Sequence, residues 1–328
     1  MTRTWKALAL PPLDPGFARS QFEPLGDVEV VFLESRDRAG LLAGIADADL
    51  VVADFTGRLA LDAEAVAAAP RLAFVQTPGV GTDSVDTEAL AAAGVPVANT
   101  AGSNARAVAE WAVGAAFALC RRTVSSDRAM RAGAWPQQEV LRGGTREIHS
   151  LRVGIVGYGA IGAETARLFA ALGSTVSYWS RRRRAEAVAT YRELDDLLAG
   201  SDLLVIALPL APGTRGLLGA DRLALLPQGA LLVNVARGGI APDADVRAAL
   251  DSGRLAGAAL DVYETEPLPE DHPLRSDERV LLSPHTAGGT RESQLTMLGM
   301  MKDNLAAAMA GRPVANVVNG VDPVVRQR

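Results

Sequence analysis

The sequence is short of several things, and each shortage excludes something. A single cysteine, Cys120, rules out an intrachain disulfide and a cysteine cage for a metal. No metal site is expected. No apolar run approaches the about 18 residues that a bilayer-spanning helix requires. The opening "MTRTWKALALPPLDPGF" has only a brief apolar patch cut by prolines, a poor secretory signal. Basic residues do not dominate, since the net charge is −5, and nucleic acid is not the expected partner. The expected compartment is the cytoplasm. Lysine is almost missing: of 33 basic residues only Lys6 and Lys302 are lysine, so a lone arginine says little about function unless its position does. Cys120 itself lies in "AEWAVGAAFALCRR", where a packed core thiol is expected.

What is present is a globular composition, 48% hydrophobic and 22% charged over 328 residues, large enough for two domains. Short β-branched runs alternate with alanine-rich helical stretches. "DVEVVFLES", "ADLVVADF", "RLAFVQTPG" and "VPVANT" read as strands, with "DAEAVAAAP" and "DTEALAAAG" as helices. The pattern resumes in "LRVGIVG", "STVSYWS", "DLLVIALPL", "ALLVNVA", "LAGAALDV" and "RVLLSPH". Continuous apolar strands between helices indicate parallel sheets covered on both faces. The halves are joined by a segment whose helix Ser103 or Asn104 could cap. A last long helix, roughly Arg291 to Met309, leads to a tail with the character of the first half. The expected fold is α/β, with two Rossmann-like, doubly wound parallel-sheet domains. Residues 1–103 and 288–328 form a discontinuous, flavodoxin-like substrate domain, and residues 104–287 an inserted dinucleotide-binding domain.

"VGIVGYGAIG" places Gly157, Gly159 and Gly162 in G-x-G-x-x-G spacing, between a strand and the helix "ETARLFAALG". That context makes it a dinucleotide fingerprint: a tight turn, a close approach for pyrophosphate, and close helix–strand packing. The helix start, with Ala160 and Ile161, offers free N–H groups to the anion.

Three polar stretches follow later strands, where open α/β sheets place their ligands. They carry Arg237 ("VNVARGG"), Asp261 and Glu266 ("LDVYETEP"), and His285 ("LSPHTAGG"). A guanidinium fork can hold a carboxylate. An imidazole can give a proton to a carbonyl oxygen as hydride arrives. A glutamate beside the imidazole would raise its pKa.

These stretches, together with "GVGTDSVD", "VAE", "ALPLAPGTRGLLG" and "AGRPVANVVN", closely resemble the D-isomer-specific 2-hydroxyacid dehydrogenases, the family of glyoxylate/hydroxypyruvate reductases and phosphoglycerate dehydrogenases. The resemblance covers nearly the whole chain, and the spacing of Arg237, Glu266 and His285 fits the family's catalytic triad. It implies that Asp261 meets the nicotinamide carboxamide, and that Leu208, Pro209 and Thr214 line the adenine end. Val235 and Ala236 would flank the cofactor beside Arg237. Val80 and Gly81 match the loop whose amides grip the substrate carboxylate. A homodimer is implied, with the helix after Asn104 at its interface, and hinges near residues 103 and 287 whose closure excludes water. Two features depart from the family: Ala105 stands where relatives carry threonine, and "IHS" around His149 replaces a glycine-lysine turn. His149 is read as a loop residue. The implied activity is hydride transfer between a nicotinamide cofactor and a small 2-oxo acid or D-2-hydroxy acid. Alternatives on the same fold are a dinucleotide-sensing binding module or corepressor, and a phosphite-dehydrogenase-like enzyme.

The second strand of the cofactor domain ends at Trp179, so Ser180 stands where NAD-specific relatives place an acidic residue for the ribose 2′-hydroxyl. Arg181 and Arg182 follow at once, placed to pair with a 2′-phosphate. NADP is therefore the expected cofactor, with NAD possible. Arg183 and Arg184 read as a solvated helix start.

Overall fold

Four aspartates punctuate the early part of the chain, and each opens a helix. In the computed structural model, which describes residues 4–327, Asp14, Asp37, Asp62 and Asp86 precede α1 (Pro15–Phe22), α2 (Arg38–Ile45), α3 (Ala63–Ala67) and α4 (Thr87–Ala92). Each carboxylate accepts the N–H three residues on, at 2.8–3.0 Å. Such a cap contributes typically about 1 kcal/mol. Between the helices run β1 (Trp5–Ala9), β2 (Val28–Val31), β3 (Leu50–Val52), β4 (Phe74–Gln76) and β5 (Val97–Ala98). All pairings are parallel, in the order β2-β1-β3-β4-β5, which is the flavodoxin-like arrangement. Strand β1 lies inside the proline-rich start, where no element was expected. Its residues Ala7, Leu8 and Ala9 are nonetheless buried.

The chain divides into two compact units. One runs to Ser103 and resumes at Arg291; the other spans Asn104–Thr290. The helix that closes the first unit extends from Arg291 to Met309. Its Met301, Leu305 and Ala308 pack with Trp5, Phe22 and Phe74 in one core cluster. Asn304 donates to the buried Gln76 side chain at 2.9 Å, and the Val318 N–H bonds the Val97 carbonyl at 2.8 Å. The C-terminal segment thus completes the first sheet's core and extends its edge.

The second unit opens with α5 (Ala105–Cys120), α6 (Thr123–Arg131) and α7 (Gln137–Gly143). There follow β6 (Arg152–Val156), α8 (Ala160–Ala171), β7 (Thr175–Trp179), β8 (Thr190–Tyr191), α9 (Leu194–Ala199) and β9 (Leu203–Ile206). The remainder is α10 (Ala220–Leu223), β10 (Ala230–Asn234), α11 (Asp243–Asp251), β11 (Leu255–Leu260) and β12 (Val280–Leu282). The seven-stranded sheet is ordered β12-β11-β10-β9-β6-β7-β8, and its strand order reverses between β6 and β9. Helix α5 packs Ala112, Ala116 and the buried Cys120 in the same cluster as Ala166 and Phe169 of α8. The expected cap on α5 is not made: Asn104 sits at φ −111°, ψ 6°, and contributes no capping bond. That backbone is not the extended conformation from which a side chain reaches the next turn's N–H groups. Ser103 Oγ is likewise buried without a hydrogen-bond partner. Among the described residues no helix is long and apolar enough to cross a membrane. None of their His, Cys, Asp and Glu side chains gather in a group of three or more that could hold a metal ion.

Candidate active site

The glycine turn sits where the second sheet reverses, the point at which open α/β sheets take ligands. Gly157, at φ +104°, lies so close to β9 that a Cβ there would come within 2.6 Å of the Ala207 carbonyl carbon and 2.8 Å of Leu208 Cβ. A Cβ at Gly162 would overlap the Gly157 carbonyl oxygen, so helix α8 reaches this position only with glycine. Gly159 differs from both: nothing lies within 4 Å of the position its Cβ would take. No side chain caps α8, which begins at Ala160. Open space beside an uncapped twelve-residue helix start suits a pyrophosphate, so these residues fit a bound dinucleotide.

At the end of β7, Ser180 Oγ donates to the Arg182 carbonyl at 2.6 Å. The four arginines do not start a helix. Residues 181–189 form an irregular loop, and four adjacent like charges repel one another there. The arginines are also not equivalent. Arg183 lies 4.3 Å from the Tyr191 ring centroid and pairs with Glu193 at 3.9 Å. The exposed side chains of Arg181 and Arg182 have no partner among the described residues.

The second unit also brings together the three residues expected to do chemistry. His285 Nδ1 lies 2.7 Å from Glu266 Oε2, and the Tyr263 N–H donates to Glu266 Oε1 at 3.0 Å. His285 takes a left-handed backbone, φ 55°, a conformation that costs a non-glycine residue about 1–3 kcal/mol. Its N–H is held by the Asp261 carbonyl at 2.8 Å. The Glu266 hydrogen bond raises the His285 pKa above the ordinary imidazole value, against burial and the charge of Arg237. Burial opposes the Glu266 charge, yet His285, the Tyr263 N–H and Arg237 together hold its carboxyl below the usual range. Arg237 stands just past β10, where the buried Asn234 side chain bonds the Ala236 N–H and the Arg237 carbonyl, each at 3.0 Å. The guanidinium donates to the Ala236 carbonyl at 2.7 Å.

Several other expected site residues turn out to be structural in their side chains. Asp261 is 2% exposed, and its carboxylate gathers the loop after β12. It accepts from Ser283 Oγ, from the Thr286 N–H at 2.8 Å and from the Ala287 N–H at 2.9 Å. Leu208 and Ala236 belong to one core cluster and Val235 to another. Cofactor contacts from these three would run through backbone atoms. The Thr214 hydroxyl accepts from the Ala211 N–H and donates to the Pro209 carbonyl, closing its own turn. In the first unit, the carbonyls of Pro78, Gly79 and Val80 are taken up by Thr100, Thr77 and Asn99. The amides of Val80 and Gly81 have no partner among the described residues.

Sequence reasoning missed Tyr263, whose hydroxyl bonds the Leu260 and Ser283 carbonyls at 2.9 Å each, so that it links the strands behind Glu266 and His285. It also missed a clasp in which the Asp243 N–H donates to Glu264 at 2.8 Å. Their only signal was proximity to the motif residues.

Residues 113–287 match the family model described as "D-isomer specific 2-hydroxyacid dehydrogenase, NAD binding domain". A glyoxylate reductase of Aeropyrum pernix is 39% identical over 298 residues, covering 88% of each chain. A D-3-phosphoglycerate dehydrogenase of Mycobacterium leprae is 37% identical over 316 residues, covering 94% of this chain and 58% of that one. This chain therefore spans little more than half the length of that relative. Among solved structures, a glyoxylate reductase from Paecilomyes thermophila superposes with a TM-score of 0.87 at 27% identity, covering 97% of this chain and 98% of that one.

Proposed function

The chain belongs to the D-isomer-specific 2-hydroxyacid dehydrogenases, and on that premise we propose that it is an NADP-favouring reductase of small 2-oxo acids, most similar in activity to glyoxylate/hydroxypyruvate reductases. The observation that carries the chemistry is the 2.7 Å contact between His285 Nδ1 and Glu266. With Nδ1 engaged, Nε2 is the nitrogen left to exchange a proton with substrate. The raised pKa favours the imidazolium that holds that proton. Arg237 holds the substrate carboxylate with its fork. In the first unit, Val80 and Gly81 are the substrate-binding residues, through their backbone amides. When bound, the reduced nicotinamide supplies the hydride. Gly157, Gly159, Ala160, Ile161 and Gly162 hold the pyrophosphate, and the Leu208–Thr214 turn and the Val235–Ala236 backbone border the cofactor. Asp261 sets the nicotinamide side of the site by fixing the loop that carries His285.

The NADP preference rests on Ser180, which lacks the charge that would repel a 2′-phosphate, and on the unpartnered guanidinium groups of Arg181 and Arg182. A homodimer in the cytoplasm completes the reading, with light scattering as its check on assembly. The main test is a panel of 2-oxo acids, including glyoxylate and hydroxypyruvate, with NADPH and NADH. Turnover of glyoxylate is expected, and His285→Ala should depress it by about 10²–10⁴-fold with cofactor affinity unchanged. A chain that binds NADPH yet reduces no 2-oxo acid would instead be a dinucleotide-sensing module.

A further inference from the structure

The chain has four tyrosines, and three of them meet beneath the arginine loop. Tyr178, in β7, stacks on Tyr158 with ring centroids 4.0 Å apart and meets Tyr191 of β8 edge-on at 5.6 Å. Each then holds a different point of the chain between Trp179 and Thr190. The Tyr178 hydroxyl, on a side chain 1% exposed, accepts the Arg184 N–H at 2.8 Å. The Tyr158 hydroxyl accepts the Val188 N–H at 3.2 Å. The Tyr191 ring lies under the Arg183 guanidinium, and its hydroxyl reaches the same Glu193 that pairs with Arg183.

Four adjacent arginines repel one another, and an irregular exposed loop carrying them would otherwise sample many conformations. The tyrosines restrict it at Arg183, Arg184 and Val188, and Ser180 closes the turn in front through the Arg182 carbonyl. They also divide the charge. Arg183 is drawn onto an aromatic face and a carboxylate, while Arg181 and Arg182 are left on the stretch next to the strand end. Tyr158 is itself the residue between Gly157 and Gly159, so the glycine cradle and the arginine loop share a side chain.

We infer that Tyr158, Tyr178 and Tyr191 are positioning residues for the cofactor's 2′-phosphate, pre-ordering the loop so that Arg181 and Arg182 meet it without a further ordering cost. This rests on the NADP reading above. None of the three touches the phosphate; they act through the arginines.

The test uses Tyr178→Phe, which keeps the ring stack and removes the hydroxyl, and Tyr191→Leu, which removes the platform under Arg183. NADPH and NADH affinities are measured by titration, and trypsin cleavage at Arg181–Arg184 is followed in the cofactor-free proteins. Loss of one such hydrogen bond should weaken NADPH by about threefold to tenfold and leave NADH within about twofold. Cleavage in the loop should be faster in both variants. If NADPH and NADH weaken together, or cleavage is unchanged, the tyrosines are only packing and the inference fails. A wild type that binds both cofactors equally removes the NADP reading and this inference with it. A wild type that prefers NADPH, with that ratio unmoved in Tyr178→Phe, removes the inference alone.

Discussion

His285 and Glu266 are joined at 2.7 Å, and each shifts the other in the direction that favours the charged pair. With the imidazolium as the proposed acid in the reducing direction, the rate should hold below the His285 pKa and fall as pH rises through it. Glu266 raises that pKa. Glu266→Gln removes the charge that does so, and the falling limb should move to lower pH. The measurement is kcat/KM for 2-oxo acid reduction against pH; a limb that stays in place would return Glu266 to a surface role.

Arg237→Lys should be severe although charge is kept. A lysine ammonium is a point charge and cannot form the paired, coplanar bonds of a guanidinium with a carboxylate. A loss of at least about tenfold in kcat/KM is expected, about 1.4 kcal/mol of transition-state stabilisation. Near wild-type kinetics with a small 2-oxo acid would show that Arg237 is not the carboxylate clamp.

Ser180→Asp combined with Arg181→Ala should turn the cofactor preference toward NADH, since a carboxylate repels the 2′-phosphate and accepts from the 2′-hydroxyl. In the wild type the advantage of NADPH should shrink as salt rises, because both arginines are exposed and the Debye length falls from about 10 Å at 0.1 M to about 3 Å at 1 M. Paired kinetics at low and high salt would reveal either failure.

Asp261→Asn should loosen the loop that presents His285. An amide in that place sets a donor against the Ser283, Thr286 and Ala287 donors, where the carboxylate accepts from all three. A cost on the order of 1–3 kcal/mol follows from leaving buried donors unmatched. Thermal unfolding should register it as a drop of the midpoint, and an unchanged midpoint would mean that the loop is held by other contacts.

Much of this architecture was readable in the residues, for local reasons. Apolar runs such as "DLLVIALPL" and the spaced glycines carry their signal within a few positions, and the closing helix lies at Arg291–Met309 as its pattern indicated. The signal failed where structure is settled at a distance. Strand β1 is defined by β2 and β3 on its two sides, and a short lysine-containing segment just ahead of a proline pair gives little sign of them. The fate of Arg183 depends on Tyr191 and Glu193, beyond the loop. The hold of Asp261 on Ser283, Thr286 and Ala287 was likewise unreadable, because those partners are remote in sequence.

The closing helix also bears on how the protein comes into being. A ribosome releases Trp5, Phe22 and Phe74 well before the Met301, Leu305 and Ala308 that complete their cluster, with the whole of residues 104–290 made in between. Residues 104–290, continuous in sequence, carry all the strands and helices of their own unit and are complete sooner. The inserted unit is therefore finished before the unit that is split around it. Until the Arg291–Met309 helix arrives, the strands of the first unit lack the apolar side chains that cover Trp5, Phe22 and Phe74.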